Sequence, residues 1–304
     1  MISLNLLAGS FIVLVTILIA LFADSIHLNK DRWIQILFVF LVLTLICTIV
    51  SYINHYSLFI FIGSMYMFAA FSFVILHSSR VLGNKKTLIF ILIAGSFGLI
   101  FEFAGVNYGI FGEYFYNVPD LLLGIIPITV PLTWTVIIYS SYIITNLFLY
   151  GFGGEKPRYE HNLLFLVGVL VLLSAIGGLI AVNLDMIMDP VAVSPQLKQW
   201  IWVNGGPYFG IPISNFGGWF ILTFFSTLIF RSYESFKSED GKSPTNRGLY
   251  VYAPALYLIL FLQPSVQAIS TNNIEYVLIG AATMMPFVMV PLILFFIRKH
   301  KKVT

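Results

Sequence analysis

Apolar residues run in long stretches along this chain, and the polar residues that interrupt them come in short breaks. A helix rises about 1.5 Å per residue, so roughly 20 apolar residues cross the hydrocarbon layer of a bilayer. Runs of that length fall near residues 5 to 23, 33 to 52, 57 to 77, 88 to 106, 127 to 150, 162 to 186, 212 to 231, 249 to 270 and 275 to 297. The pattern predicts an all-α polytopic integral membrane protein with about nine transmembrane helices, forming a single transmembrane domain over 1–304. The first run lacks a basic leader and an A-x-A-like cleavage site, so it reads as a span rather than a signal peptide.

The basic residues test this count independently. Taken break by break, Lys and Arg alternate between present and absent, and fifteen of the sixteen fall on one side; Lys198 alone lies on the other. A miscounted helix would scramble the alternation from that point on. Basic residues favour the cytoplasm, which predicts a multi-pass protein of the cell (cytoplasmic) membrane with its N-terminus outside and its C-terminus cytoplasmic. The basic-poor side is then the outer one.

Composition agrees: 59% of the 304 residues are hydrophobic and 10% are charged, a balance that excludes a water-soluble fold. The net charge of +3 follows the membrane, so no nucleic-acid partner is expected. A lone cysteine, Cys47, excludes an internal disulfide and reads as a packed core residue. The five histidines show no close pairing for haem or di-iron, and Mg²⁺ held with a phosphate at the D-x-x-x-D spacing of Asp185 and Asp189 would want basic neighbours where Lys198 stands alone, so no metal is expected; Walker, G-x-S-x-G and H-E-x-x-H motifs are missing. Gly105-x-x-x-Gly109 signals close helix packing. The segment 236 to 248 reads as a solvated loop on the basic side.

The two longest outer connections, 101 to 134 and 185 to 219, are rich in aromatic residues, glycine and proline, and read as re-entrant or interfacial segments roofing a pocket. The first carries Glu102, Glu113 and Asp120; the second carries Asp185, Asp189, Asn204 and Asn215. Glu102 and Asp185 stand at the outer ends of the fourth and sixth spans, where a carboxylate near hydrocarbon is costly enough to suggest function. Asp185 and Asp189 are spaced i, i+4 and share a helix face, with Pro190 expected to stop that helix. Two like carboxylates in a poorly solvated site do not both ionise readily, which leaves a proton donor for acid chemistry on an apolar molecule. Tyr108, Tyr114, Tyr116, Tyr208, Trp134, Trp200, Trp202 and Trp219 can stabilise a cation through their ring faces; an interfacial aromatic belt is the plainer reading of each.

The segments also resemble each other. Pro127-Ile128-Thr129 leads to Trp134 as Pro212-Ile213-Ser214 leads to Trp219, and Glu102 and Asp185 precede these prolines by 25 and 27 residues. Spans running in the same sense predict a parallel repeat about the membrane normal, converging on one cavity. Pro127 and Pro212 also suit helix starts without any repeat.

At these residues the chain resembles the membrane carotenoid biosynthesis family that includes bisanhydrobacterioruberin hydratase and the bacterial carotenoid 1,2-hydratases. The motifs are E-x-x-G-V-x-x-G-x-F-G-x-Y-x-Y at Glu102 to Tyr116, G-x-x-P and W within 124 to 134, D-x-x-x-D-P at 185 to 190, W-x-W at 200 to 202, and Y-F-G-I-P-x-x-N-F-x-G-W at 208 to 219, a family-like core of about 95 to 230. The resemblance implies water addition to the terminal isoprene double bond of an acyclic carotenoid, with a lipophilic isoprenoid substrate, membrane lipids as surroundings and no cofactor. Asp185 or Asp189 is the expected acid, and Glu102 orients or activates water. Glu113, Tyr108, Tyr116, Trp134, Trp202, Asn204, Tyr208, Asn215 and Trp219 are expected to bind substrate; oligomeric state is left open. Two rival readings are a membrane prenyltransferase, which would need two diphosphate-binding aspartate motifs and basic neighbours, and a non-enzymatic lipid transporter or binding protein. Glu102 has Val106, not an acid, at i+4.

Overall fold

The structure is a computed structural model that describes residues 4–25, 27–54, 56–118, 122–150, 163–236 and 247–300. Asp120, Lys156, Arg158, Lys237, Lys242, Lys301, Lys302 and most of the 236 to 248 loop lie outside the described residues. Ten α-helices follow in order: α1 (Leu4–Phe22), α2 (Lys30–Asn54), α3 (Ser57–Ser64), α4 (Tyr66–Val81), α5 (Asn84–Tyr108), α6 (Thr129–Tyr150), α7 (Leu163–Val193), α8 (Ile213–Phe236), α9 (Tyr252–Ser270) and α10 (Ile274–His300). With α3 and α4 counted together, nine helical spans among the described residues are long and apolar enough to cross a membrane. The fold is that of an all-α polytopic membrane protein.

Helix α6 sits at the centre, packed against α5, α7, α4 and α9. From Trp134 to Leu147 its residues are buried, including Ser140, Ser141, Thr145 and Asn146. A helix surrounded by protein can carry such groups because its own carbonyls and its neighbours satisfy them, as Ser140 does by donating to Val136 O at 2.9 Å. The peripheral helices show the opposite pattern, with Phe11, Leu14, Val39, Leu92, Leu172 and Leu278 exposed on faces suited to lipid. Four helices enclose the middle: α5 packs on α6 and α8, and α7 packs on α8 and α6. Glycine permits the close approaches, since a Cβ on Gly98 would lie 2.7 Å from Trp134 Cβ and one on Gly178 would lie 2.7 Å from Phe220.

Two expectations change. The third span is interrupted at Met65, between α3 and α4, and does not run straight through. Helix α7 continues past Pro190 to Val193. Proline removes one hydrogen bond to the carbonyl four residues earlier, here Met186 O, and the Tyr208 hydroxyl donates to that oxygen at 2.8 Å. The supply of an outside donor lets the helix carry Asp189 and Pro190 inside it.

The long connections fold as short strands. Strand β1 (Tyr114–Tyr116) pairs antiparallel with β4 (Trp200–Trp202), and β2 (Leu122–Leu123) pairs with β3 (Ile126–Pro127). The β1/β4 register sets Tyr114 opposite Trp202 and Tyr116 opposite Trp200, tying the first connection to the second. Gly109 ends α5 in the left-handed conformation at φ 61°, so it is a helix cap, while Gly105 makes room for the Tyr114 ring at 3.0 Å. The small-xxx-small spacing thus serves the cap and a tyrosine, not a helix pair.

Candidate active site

A cavity of about 310 Å³ opens among α4, α5, α6, α7, α8, α9 and the β1/β4 ribbon. Glu102, Asp185, Asp189, Tyr116, Trp134, Trp202, Asn215 and Trp219 all line it. Both acid-bearing segments and both tryptophans that follow the matched prolines therefore meet in one place. The Trp134 and Trp219 rings touch, with centroids 4.4 Å apart and planes at 51°.

Glu102 is held by three donors. The Tyr114 and Tyr116 hydroxyls donate to its Oε2 at 2.5 and 2.6 Å, and Trp134 Nε1 donates to its Oε1 at 2.8 Å. Side chains alternate along a strand, which turns Tyr114 and Tyr116 inward and leaves Glu113 and Phe115 exposed. Burial first, and then the Glu102 charge, push both phenols well above their usual range. They stay protonated and remain donors.

Asp185 and Asp189 lie one helical turn apart, both buried. One Asn215 amide joins them, with Nδ2 donating at 2.8 Å to Asp185 Oδ2 and at 2.8 Å to Asp189 Oδ2. Trp200 Nε1 donates to Asp189 Oδ1 at 2.5 Å. Both Asp189 oxygens accept, whereas buried Asp185 Oδ1 has no partner. The buried Trp202 N–H, beside Asp189, also lacks a partner of hydrogen-bond geometry. Unpaired buried polar atoms are rare and costly, and where they cluster around a cavity they mark a place for water or a ligand.

Four expected binding residues stand away from the cavity lining. Tyr108 is 73% exposed at the end of α5, and Glu113 faces outward by strand alternation. Asn204 is exposed in the turn after β4. Tyr208, half-buried, spends its hydroxyl on Met186 O, and burial together with the nearby Asp185 pushes that phenol up to about 12. That bond ties the segment after β4 to the end of α7.

Other lining residues had little or no sequence signal. Tyr66 and Met67 come from the start of α4, just after the Met65 break, and Gln263 and Gln267 come from α9. The two amides, spaced i, i+4 within an apolar run, were the available clue. Nothing marked Tyr66 among the many aromatics. Among the described residues, no group of three or more His, Cys, Asp or Glu side chains is arranged to hold a metal ion.

An acid-bearing and aromatic cavity among membrane-spanning helices defines a membrane protein with a candidate ligand site. The chain belongs to the carotenoid biosynthesis protein family, whose pattern it matches over residues 62–287. That match extends beyond the motif-bearing core on both sides, from α3 to α10. Neither the curated proteins nor the solved structures compared with it provide a match.

Proposed function

We propose that this carotenoid biosynthesis protein is a hydratase that adds water to the terminal isoprene double bond of an acyclic carotenoid. The observation that carries the reading is the asymmetry of the aspartate pair. Two carboxyl groups joined by one amide in a buried site favour a single negative charge between them. Asp189 receives donors at both oxygens and suits the charged role; Asp185, with Oδ1 unpartnered, suits the protonated one.

The chemistry follows in balanced steps. Asp185 gives its proton to the less substituted alkene carbon, leaving a tertiary cation whose charge the Trp134 and Trp219 faces and the Glu102 and Asp189 carboxylates stabilise. Water adds to the cation, and the proton it loses restores Asp185, so the sum is alkene plus water giving a tertiary alcohol. Glu102 is fixed in place by three hydrogen bonds, which suits it to orient water. Asp185 Oδ1 as acceptor and the Trp202 N–H as donor offer complementary partners for that water.

Size supports entry by a chain end. At about 30 Å³ per water-sized group, 310 Å³ holds on the order of ten such groups, about two isoprene units. The rest of a long polyene would lie outside the cavity, in the membrane. A diphosphate would call for compensating cations, and the described lining instead presents carboxylates, aromatic rings and amides. We also infer from the basic-residue pattern that this site faces the outer side of the cell membrane.

The test is expression in cells that accumulate lycopene, with mass spectrometry of the extracted pigments. A gain of one or two waters, lost in Asp185→Asn, is the expected result. Unaltered lycopene alongside folded, membrane-inserted protein would refute hydration of that substrate class.

A further inference from the structure

A second polar face of the cavity takes no part in the proposed proton transfers. Tyr66, Gln263 and Gln267 line the same space as the acids. They come from α4 and α9, helices that do not carry the carboxylates. The Tyr66 side chain is more than nine-tenths buried, and its hydroxyl has no hydrogen-bond partner. Gln263 and Gln267 project from one face of α9, one turn apart, and Gln267 is also engaged by the Tyr52 hydroxyl of α2.

A tyrosine at a purely hydrocarbon-binding wall gains nothing from its hydroxyl, since phenylalanine fills the same space without a buried, unpaired donor. An amide at the same wall, as at Gln263, would likewise gain nothing by facing alkyl groups. The three together form a neutral patch of donors and acceptors. Such a patch suits an uncharged oxygen: a carboxylate or phosphate would call for a cation, while an ammonium would prefer the acid wall. We propose that Tyr66, with Gln263 and Gln267 beside it, is a specificity subsite that hydrogen-bonds a neutral oxygen, in the form of an alcohol, carried by the bound isoprenoid. This rests on the reading above in taking the ligand to be an isoprenoid and, for one of the two sources of the oxygen, in taking it to be hydrated. The oxygen has two possible sources: one already present on the substrate, or the tertiary hydroxyl created by hydration.

Three ten-carbon probes separate these cases: the hydrocarbon 2,6-dimethyl-2-octene; citronellol, with its hydroxyl at the end remote from the double bond; and 2,6-dimethyloctan-2-ol, the saturated image of a hydrated end. Binding to the purified full-length protein in nanodiscs is read from quenching of tryptophan fluorescence, because four tryptophans line the cavity. At least one alcohol is expected to bind about five- to tenfold more tightly than the hydrocarbon, the effect of one additional buried hydrogen bond. Tyr66→Phe removes that preference while hydrocarbon affinity stays within twofold, and Gln263→Leu weakens it. Preference for citronellol assigns the subsite to an oxygen on the substrate; preference for the tertiary alcohol assigns it to the product.

Equal affinity for all three probes in the wild type overturns the subsite, as does a preference that survives Tyr66→Phe unchanged. Hydrocarbon binding in the variant reports that it is folded. Asp185→Asn is measured alongside for turnover alone, which it abolishes under the proposed function. Failure of the hydratase reading appears as absent turnover in the wild type, whereas failure of this subsite appears in binding alone.

Discussion

Two buried polar clusters occupy opposite ends of the helix bundle, and they differ in what their groups are paired with. At the basic-rich end, Arg231 is 3% exposed and donates to Asn146 Oδ1 at 2.6 Å, Thr145 Oγ1 at 2.5 Å and the Tyr142 carbonyl at 3.2 Å, with its guanidinium 4.5 Å from the Tyr142 ring centroid. The Tyr142 hydroxyl donates to Glu234, which also faces Lys86 at 3.7 Å. Nearby His77 lies between the Tyr139 hydroxyl and the Leu249 carbonyl; since the carbonyl only accepts, Nε2 carries the proton and Nδ1 accepts from Tyr139. Opposite charges meet there, and Asn146, Thr145 and Tyr142 take up both terminal nitrogens of Arg231. At the other end, like charges meet: Glu102, Asp185 and Asp189 share one cavity whose described lining includes no lysine or arginine, and three polar atoms remain unpartnered. A cluster that neutralises itself holds helices together. One that does not has bonding capacity left for something else.

This contrast can be broken at either end. The largest effect is expected from Asp185→Asn, which removes the proposed proton donor and should lower the proposed hydration by about a hundred- to ten-thousand-fold with the melting temperature nearly unchanged, as checked by product quantification and a thermal melt in detergent. Arg231→Leu should do the reverse. Loss of a buried guanidinium leaves its former partners short of a donor and Glu234 short of positive charge, costing roughly 3–5 kcal/mol of stability; turnover per folded molecule should stay near wild type. If Arg231→Leu instead abolished turnover in well-folded protein, the division between structural and chemical ends would fail.

A smaller effect is expected at the Glu102 cradle. Trp134→Phe keeps ring packing on Trp219 but deletes one of three donors, and should reduce turnover roughly ten- to a hundredfold, on the order of 1.5–3 kcal/mol for a hydrogen bond to a charged group. Tyr116→Phe should act similarly, with a constant ratio to wild type between about pH 6 and 9. The phenol is raised above an ordinary value near 10, so its neutral form persists throughout that window. A ratio that drifted towards one with rising pH would mean that the hydroxyl ionises within it.

The smallest effect concerns the helix that bears the aspartates. Tyr208→Phe leaves Met186 O without its donor and should cost about 1 kcal/mol. Pro190→Ala restores a backbone N–H that can serve the same carbonyl, so the double variant should show Tyr208→Phe as nearly neutral. Thermal melts of the four proteins in a double-mutant cycle measure that coupling; strict additivity would disconnect Tyr208 from the proline.

The amino-acid order alone determined the helical membrane architecture. Runs of about 20 apolar residues admit few alternatives in lipid, where every backbone group needs an internal partner. It also pointed to the acids, because Glu102, Asp185 and Asp189 are costly at span ends, and to Trp134 and Trp219 through their matched prolines. Only the tertiary structure decided which oxygens are occupied. The Asn215 bridge joins residues 26 and 30 positions apart. The tyrosines that face Glu102 are selected by strand alternation and by a register with Trp200 and Trp202 that hydropathy cannot reveal. For the same reason Tyr108, Glu113 and Asn204 looked as suitable as Tyr116 and Asn215 until their directions were known. Tyr66, Gln263 and Gln267 became neighbours of the site only through the packing of α4 and α9 around α6. Composition and periodicity report how far each segment prefers to leave water; the pairing of individual donors and acceptors depends on angles and distances between segments remote in sequence, and is settled when the helices pack.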